Sequence, residues 1–208
     1  MTLGALKPWE RPETGKPAAN AARFQSLIPV LETERLILRA PIMEDFPAFA
    51  EIEMSDRAIY MGGPLNREDT WLDFTQCLAS WMLNGYGMWS VTTKDGALQG
   101  FVTIVRGYED LEPELGYFFR AEAEGKGYAS EAAKAARDFG IDEIGVGSLV
   151  SYIDGKNAAS VNVAAKIGGT RDRASEQIFE GTDYTGDVVY RHWPKNGRPD
   201  VALEKALG

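Results

Sequence analysis

Residue type and spacing first suggest chemistry at Glu124-Gly125-Lys126-Gly127-Tyr128-Ala129-Ser130-Glu131. Two glycines flank a lysine. An alanine-rich run follows, in which Ala129, Ala132, Ala133, Ala136 and Phe139 share one helical face. Just upstream, Glu114-Leu115-Gly116-Tyr117-Phe118-Phe119 reads as a buried strand. Strand, glycine turn and helix in that order make an anion site. Glycine lets the backbone approach a ligand without a Cβ between them, and the first helical amides point outward, unpaired, at the positive end of the dipole. Such a site suits a phosphate or pyrophosphate, and Lys126 adds a mobile positive charge. A Walker loop would need Gly-Lys-Ser/Thr, but Gly127 follows Lys126. A dinucleotide fingerprint would need a third glycine where Ser130 stands.

About thirty residues later comes Asn157-Ala158-Ala159-Ser160, followed by Lys166-Ile167-Gly168. Taken alone, Asn157 and Ser160 are helix-capping types. Taken with the glycine turn, in this order, the pair resembles the two cofactor motifs of the GCN5-related N-acetyltransferases. The branch most similar is the one that acetylates ribosomal-protein N-termini, whose members also commonly open with a stretch like Thr33-Glu34-Arg35-Leu36-Ile37-Leu38-Arg39. The resemblance covers residues 31–193. It implies acetyl-CoA as co-substrate, with Phe118, Phe119, Arg120, Gly125, Lys126, Gly127, Tyr128, Ala129 and Ser130 along the thioester and pyrophosphate. It also implies Asn157 and Ser160 on the pantetheine arm, which enters a gap between two splayed parallel strands. Three departures stand out. Glu122 replaces the usual Gln or Arg at the head of the loop. Ala164 replaces the tyrosine that protonates the departing thiolate. Gly169 replaces a common phenylalanine.

The implied reaction is direct attack of a neutral primary amine on the thioester, assisted by proximity and by a backbone N–H near Phe118 that stabilises the developing oxyanion. An alkyl amine has a pKa near 10, so a group must accept its proton. Strand alternation places Glu114, Gly116 and Phe118 on one face, and Gly116 beside Glu114 leaves room for a ligand. Glu114 is therefore the candidate base, acting through water, with Tyr152 on the neighbouring strand as candidate acid. Glu109, Asp110 and Glu112 are alternative bases. A purely structural carboxylate is the competing reading of Glu114. At the level of the whole protein, the competing classes are a non-catalytic acyl-CoA-binding module and a nucleotide-binding protein.

Composition bounds these readings. The chain has 208 residues, 22 Lys plus Arg against 31 Asp plus Glu, and a formal charge of −9. A basic footprint for nucleic acid is missing; the negative balance mildly favours a cationic substrate such as an amine, but solubility is the simpler reading of it. Cys77 is the only cysteine, so no internal disulfide forms and a reducing, cytoplasmic setting is expected. His192 is the only histidine, which argues against a metal site or a His-based triad. No apolar run is long enough to span a membrane.

The elements that must position these residues follow from periodicity and turn chemistry. Residues 1–28, with Pro8, Pro12 and Pro17, read as an extended arm lying on the surface or on a partner chain, which leaves a homodimer open. Trp9 is the candidate pin. The catalytic domain would span residues 29–194, with a peripheral tail at 195–208. Helices are expected at 43–54 and from Asn66, where Trp71, Phe74, Leu78 and Trp81 recur at helical spacing, a pattern that fits core packing ahead of the lining of a substrate pocket. Strands are expected at 35–39, 87–93, 98–106, 114–119, 147–153, 170–179 and 187–193. The fold class is α/β (mixed α+β): a mostly antiparallel sheet with one splayed parallel pair and helices on both faces.

Overall fold

The computed structural model describes residues 4–108, 110–182 and 185–194. Its frame is one eight-stranded sheet, made of β1 (Leu31–Glu32), β2 (Leu36–Arg39), β3 (Met88–Thr93), β4 (Leu98–Val105), β5 (Glu114–Phe119), β6 (Leu149–Asp154), β7 (Thr170–Arg171) and β8 (Asp187–His192). The spatial order is β1-β2-β3-β4-β5-β6-β8-β7. Every neighbouring pair is antiparallel except β5 and β6.

Side-chain alternation divides the core. Leu36, Leu38, Trp89, Val102, Leu115 and Phe119 face one way and pack on Ala132, Ala133 and Ala136 of α4 (Tyr128–Phe139). Phe101 and Phe118 face the other way, onto Phe49 of α2 (Phe46–Glu53) and the Phe74 layer of α3 (Arg67–Asn84). The small face of α4 lets it lie close on the sheet, which sets the height of its N-terminus above β5. Asn66 caps α3 by accepting from the Glu68 and Asp69 amides. Phe74 is buried, and Trp81 packs edge-on to Trp89 with centroids 4.6 Å apart, so these helical aromatics are core. Among the described residues no helix is long and apolar enough to cross a membrane, and no cluster could hold a metal ion.

Two expectations change. The N-terminal segment is not wholly extended: α1 spans Gly15–Gln25, where Pro17 in the first turn is followed by Ala18, Ala19, Ala21, Ala22, Arg23 and Gln25, six residues strong in helix propensity. This helix buries nothing. Trp9 is 59% exposed and pins nothing down; Glu10, fully buried, holds the segment through Arg67 Nε at 2.5 Å. The second change lies at residues 170–179, where the strand stops after Arg171 and a short helix, α6 (Arg173–Glu176), begins. Asp172 ends the strand. Its carboxylate caps the helix at the Ser175 amide (3.2 Å) and is held by Arg191 Nε (2.7 Å). The expected tail at 195–208 lies outside the described residues.

The parallel pair opens almost as soon as it forms. Glu114 and Val150 are its one register pair, with the Val150 amide donating to Pro113 O at 3.1 Å. Beyond it the ladder is replaced by side chains. Ser151 Oγ donates to Leu115 O at 2.7 Å, and the Tyr152 amide donates to Glu114 Oε1 at 3.3 Å. His192 Nε2 sits 3.0 Å from Ser151 Oγ. Burial and the nearby Arg137 charge push this histidine down to about 4, so it is neutral near pH 7. With its proton on Leu115 O, Ser151 is a tie at the base of the gap and not a nucleophile.

Candidate active site

The glycine turn that the sequence offers as an anion site is built on backbone geometry. Gly125 and Gly127 both adopt left-handed φ, 71° and 78°, which side-chain-bearing residues rarely adopt. Gly127 is the N-cap of α4 and has no side chain to fill the helix end, so the amides of Tyr128, Ala129 and Ser130 stay open. A Cβ on Gly125 would meet nothing within 4 Å. The space above the turn is therefore open, not filled by protein.

Arg35 holds the turn from the side. Its Nη1 donates to Lys126 O at 2.8 Å and its Nε to Glu131 Oε2 at 2.7 Å, and its guanidinium lies 4.9 Å from the Tyr128 ring centroid. Burial works to raise the Glu131 carboxyl, but bonds from Thr33, the Arg35 amide and the Arg35 side chain hold it below its ordinary value. Two adjoining cavities, of about 440 and 350 Å³, share Gly125, Gly127, Ser130 and Lys166. Lys126 and Lys166 carry no ion pair among the described residues, whereas Lys134, also at the rim, is tied to Asp138 at 2.7 Å.

The second cavity runs along α4 toward the gap. It is lined by Phe119, Tyr128 and Ala129 on one side, and by Ala159, Asn162, Val163 and Lys166 of α5 (Ala158–Lys166) on the other. Ladder alternation decides which β5 amides face it. The Arg120 amide donates to Gln99 O at 2.9 Å, so in register Phe118 bonds Phe101 on β4. The amides of Tyr117 and Phe119 are those directed at the gap, one residue either side of the expected position. The Phe118 side chain lies on the other face, 5.4 Å from Phe49, and Arg120 is bound to Glu51 and Glu122. Of these three, only Phe119 lines the groove.

On α5, Asn157 is the helix cap, accepting from the Ser160 amide at 3.1 Å. The Ser160 carbonyl accepts from Tyr117 Oη at 2.8 Å. Neither Asn157 nor Ser160 lines the two cavities; their neighbours Ala159, Asn162, Val163 and Lys166 do. Lys166 and Arg35 went unread as site residues because each sits inside a stretch that explains itself otherwise, a helix end and a strand. Ala164 is fully buried against the sheet, so α5 offers no acid there.

Glu114 stands in the notch where β6 leaves β5. Burial, and then the charge of Asp110, push its carboxyl up to about 8, against a small opposing pull from the Tyr152 amide. Tyr152 shares this face of the sheet. Burial, then Glu112, Asp110 and Glu114, raise its phenol to about 12, and its ring packs edge-on to Phe179 at 5.5 Å. Gly116 does not make room for a ligand: a Cβ there would meet Thr103 Oγ1 at 2.5 Å, so the cross-strand threonine fills that space. Of the alternative bases, Glu112 is held by Arg191 at 2.6 and 2.8 Å, and Asp110 accepts from the Gly107 amide at 2.6 Å. Glu109 lies outside the described residues.

A family described as Acetyltransferase (GNAT) domain matches residues 35–170. An acetyltransferase structure from Agrobacterium tumefaciens str. C58 is similar at 38% identity and a TM-score of 0.74, over 80% of this chain and 95% of that one. The uncharacterized N-acetyltransferase YnaD of Bacillus subtilis (strain 168) is 30% identical over 97 residues, 46% of this chain and 57% of that protein. A second Bacillus subtilis relative, the uncharacterized protein YkkB, is 47% identical over 55 residues, 26% of this chain and 32% of its own length. The chain thus spans about a third to just over half the length of the curated relatives it matches.

Proposed function

The chain belongs to the GNAT acetyltransferase family, and from that premise we propose that it moves an acetyl group from acetyl-CoA to a primary amine. Acetyl-CoA supplies the activated thioester. The observation that carries the reading is a pair of adjoining cavities at an uncapped helix N-terminus with two left-handed glycines, the second of them reaching Phe119 at the end of β5. The same strand begins at Glu114, whose carboxyl is raised.

Each part of the groove has work to do. The amides of Tyr128, Ala129 and Ser130 hold phosphate oxygens, with Lys126 and Lys166 as flanking charges. Phe119, Ala159 and Val163 keep water from the arm that follows. The Tyr117 and Phe119 amides are oriented in advance toward the place where negative charge develops on the acyl oxygen. Glu114 takes the proton of the incoming ammonium at a pH near its own raised value. Ala164 removes the usual acid, which leaves Tyr152 on the same face as Glu114 as the group that returns a proton to the thiolate.

Two measurements test this. Acetyl-CoA at a hundred times its Kd stabilises a protein that binds it only when folded by about 2.7 kcal/mol, which a thermal melt reads directly. CoA release on a panel of amines, followed with a thiol reagent, reports turnover. Absence of a shift at millimolar acetyl-CoA refutes the cofactor assignment. A shift without turnover on any amine favours the binding-module reading.

A further inference from the structure

The second cavity runs between β5 and α5, and one side chain joins those two walls just past the residues that line it. Leu115, Tyr117 and Phe119 share the β5 face that packs toward α4 and α5. Phe119 lines the cavity. Tyr117, the next residue of that face toward the start of the strand and about 7 Å along it, does not. On the α5 wall, Ala159, Asn162 and Val163 line the cavity, and Ser160 does not. Tyr117 Oη donates to the Ser160 carbonyl at 2.8 Å, so the ring reaches from one wall to the other.

The ring is held at both ends. Ser160 O is the carbonyl that the Ala164 amide bonds in a regular α-helix, so the phenol lies over that turn of α5. Ala164 is fully buried and presents only a methyl group there, which leaves room for the phenol. At its strand end, Tyr117 packs on the core cluster that contains Leu115 and Phe119 and on which Val163 also packs. A ring fixed in this way is close-packed wall, and a methylene pressed against it has to displace the ring from its bond. The amides of Tyr117 and Phe119 are the two directed at the gap. An acyl oxygen held between them brings the acyl carbon up to the ring, and a longer chain has only the ring ahead of it.

We infer that Tyr117 sets the length of the acyl group this protein accepts: its ring, anchored on Ser160 O, closes the inner end of the groove. The substrate class is a short-chain acyl-CoA thioester, with acetyl admitted and butyryl excluded. This deepens the acetyl-transfer reading and rests on it for the direction in which the thioester arm lies. Length selection is a property of binding and is measured with no amine present.

The test compares acetyl-CoA with butyryl-CoA, which differ by two methylenes and in nothing else. Calorimetry on the full chain gives the ratio of their Kd values, and CoA release with one amine gives the ratio of kcat/KM. A hydrophobic site resolves a single methylene by about 10–200-fold, so the wild type is expected to prefer acetyl-CoA at least about tenfold in both. Tyr117→Leu keeps an apolar side chain but cannot reach α5, and should bring the ratio close to one, mainly through the KM of butyryl-CoA. Tyr117→Phe keeps the ring and frees it from Ser160 O, and should lower the ratio at least about threefold. Both variants retain the backbone amide, and bare CoA binding shows that each is folded. A purely structural tyrosine would weaken both thioesters alike and leave the ratio where it was. Equal binding of the two thioesters by the wild type overturns the inference. So does an unchanged ratio in Tyr117→Phe and in Tyr117→Leu, or in Tyr117→Phe alone where the leucine variant does not fold. Length selection in binding that relaxes in the variants, without turnover on any amine, supports the inference and refutes the acetyl-transfer reading instead.

Discussion

Glu114→Gln separates catalysis by this carboxyl from a structural role. The variant keeps the acceptor for the Tyr152 amide (3.3 Å) and loses the base. With the carboxyl at about 8, roughly a tenth of wild-type molecules are ionised at pH 7, half at pH 8 and nine-tenths at pH 9. The productive complex pairs this carboxylate with the ammonium form of the acceptor. Wild-type kcat/KM should therefore rise about tenfold per pH unit up to pH 8 and level off above it. The variant must take free amine from solution, so its rate keeps rising about tenfold per unit until the amine's own pKa near 10. General-base assistance of this kind is worth about 10² to 10⁴ in rate. The deficit of the variant should hold at that size below pH 8 and shrink about a hundredfold between pH 8 and 10. The assay is CoA release against pH with one alkyl amine, with acetyl-CoA affinity measured alongside; affinity should be unchanged, since Glu114 lines neither cavity. A deficit that stays constant from pH 6 to 10, or a wild-type profile with no bend near 8, refutes the assignment.

Gly127→Val should abolish CoA binding while the protein still folds. A side chain in a left-handed conformation costs about 1–2 kcal/mol, and here its Cβ would stand 3.5 Å from Arg35 Nη2, at the brace of the turn; normal CoA binding in calorimetry would refute the proposed phosphate position. Arg35→Ala removes the brace between Lys126 O and Glu131 and should weaken CoA by about 1–2 kcal/mol, with little change in kcat; an unaltered Kd would show that the turn holds its shape alone. Lys126→Ala should be milder, under about 1 kcal/mol, and its effect should fade as salt is raised during the same titration. Glu53 is raised from 4.5 to about 8, so its contribution to stability is fully present below pH 4.5 and is lost as pH rises through 8. Glu53→Gln imitates the protonated form. It should melt like the wild type at pH 4.5 and be more stable at pH 9 by an amount on the order of 2–5 kcal/mol, and equal melting curves at both pH values would show that Glu53 is not buried as described.

The glycine turn and the open helix end were legible in the sequence because their determinants are local. Two glycines between a strand and an alanine-faced helix need left-handed φ and leave helical amides open, whatever lies farther away. The α4 face, the Asn66 cap and the core role of Phe74 and Trp81 follow from spacing in the same way. Tertiary contacts decided the rest. Asn157 binds its own helix's amide in this fold, and the groove falls to Asn162 and Lys166, because rotation of α5 on the sheet selects the face that looks outward. Register chose the Tyr117 and Phe119 amides over that of Phe118, since only pairing with β4 decides which N–H groups remain. Gly116 looked like room for a ligand until Thr103 was placed across from it. Glu114 has an ordinary carboxyl in the sequence. Burial in the notch between diverging strands, beside Asp110, brings it to about 8, and solvent exclusion of that kind exists only when both strands are in place.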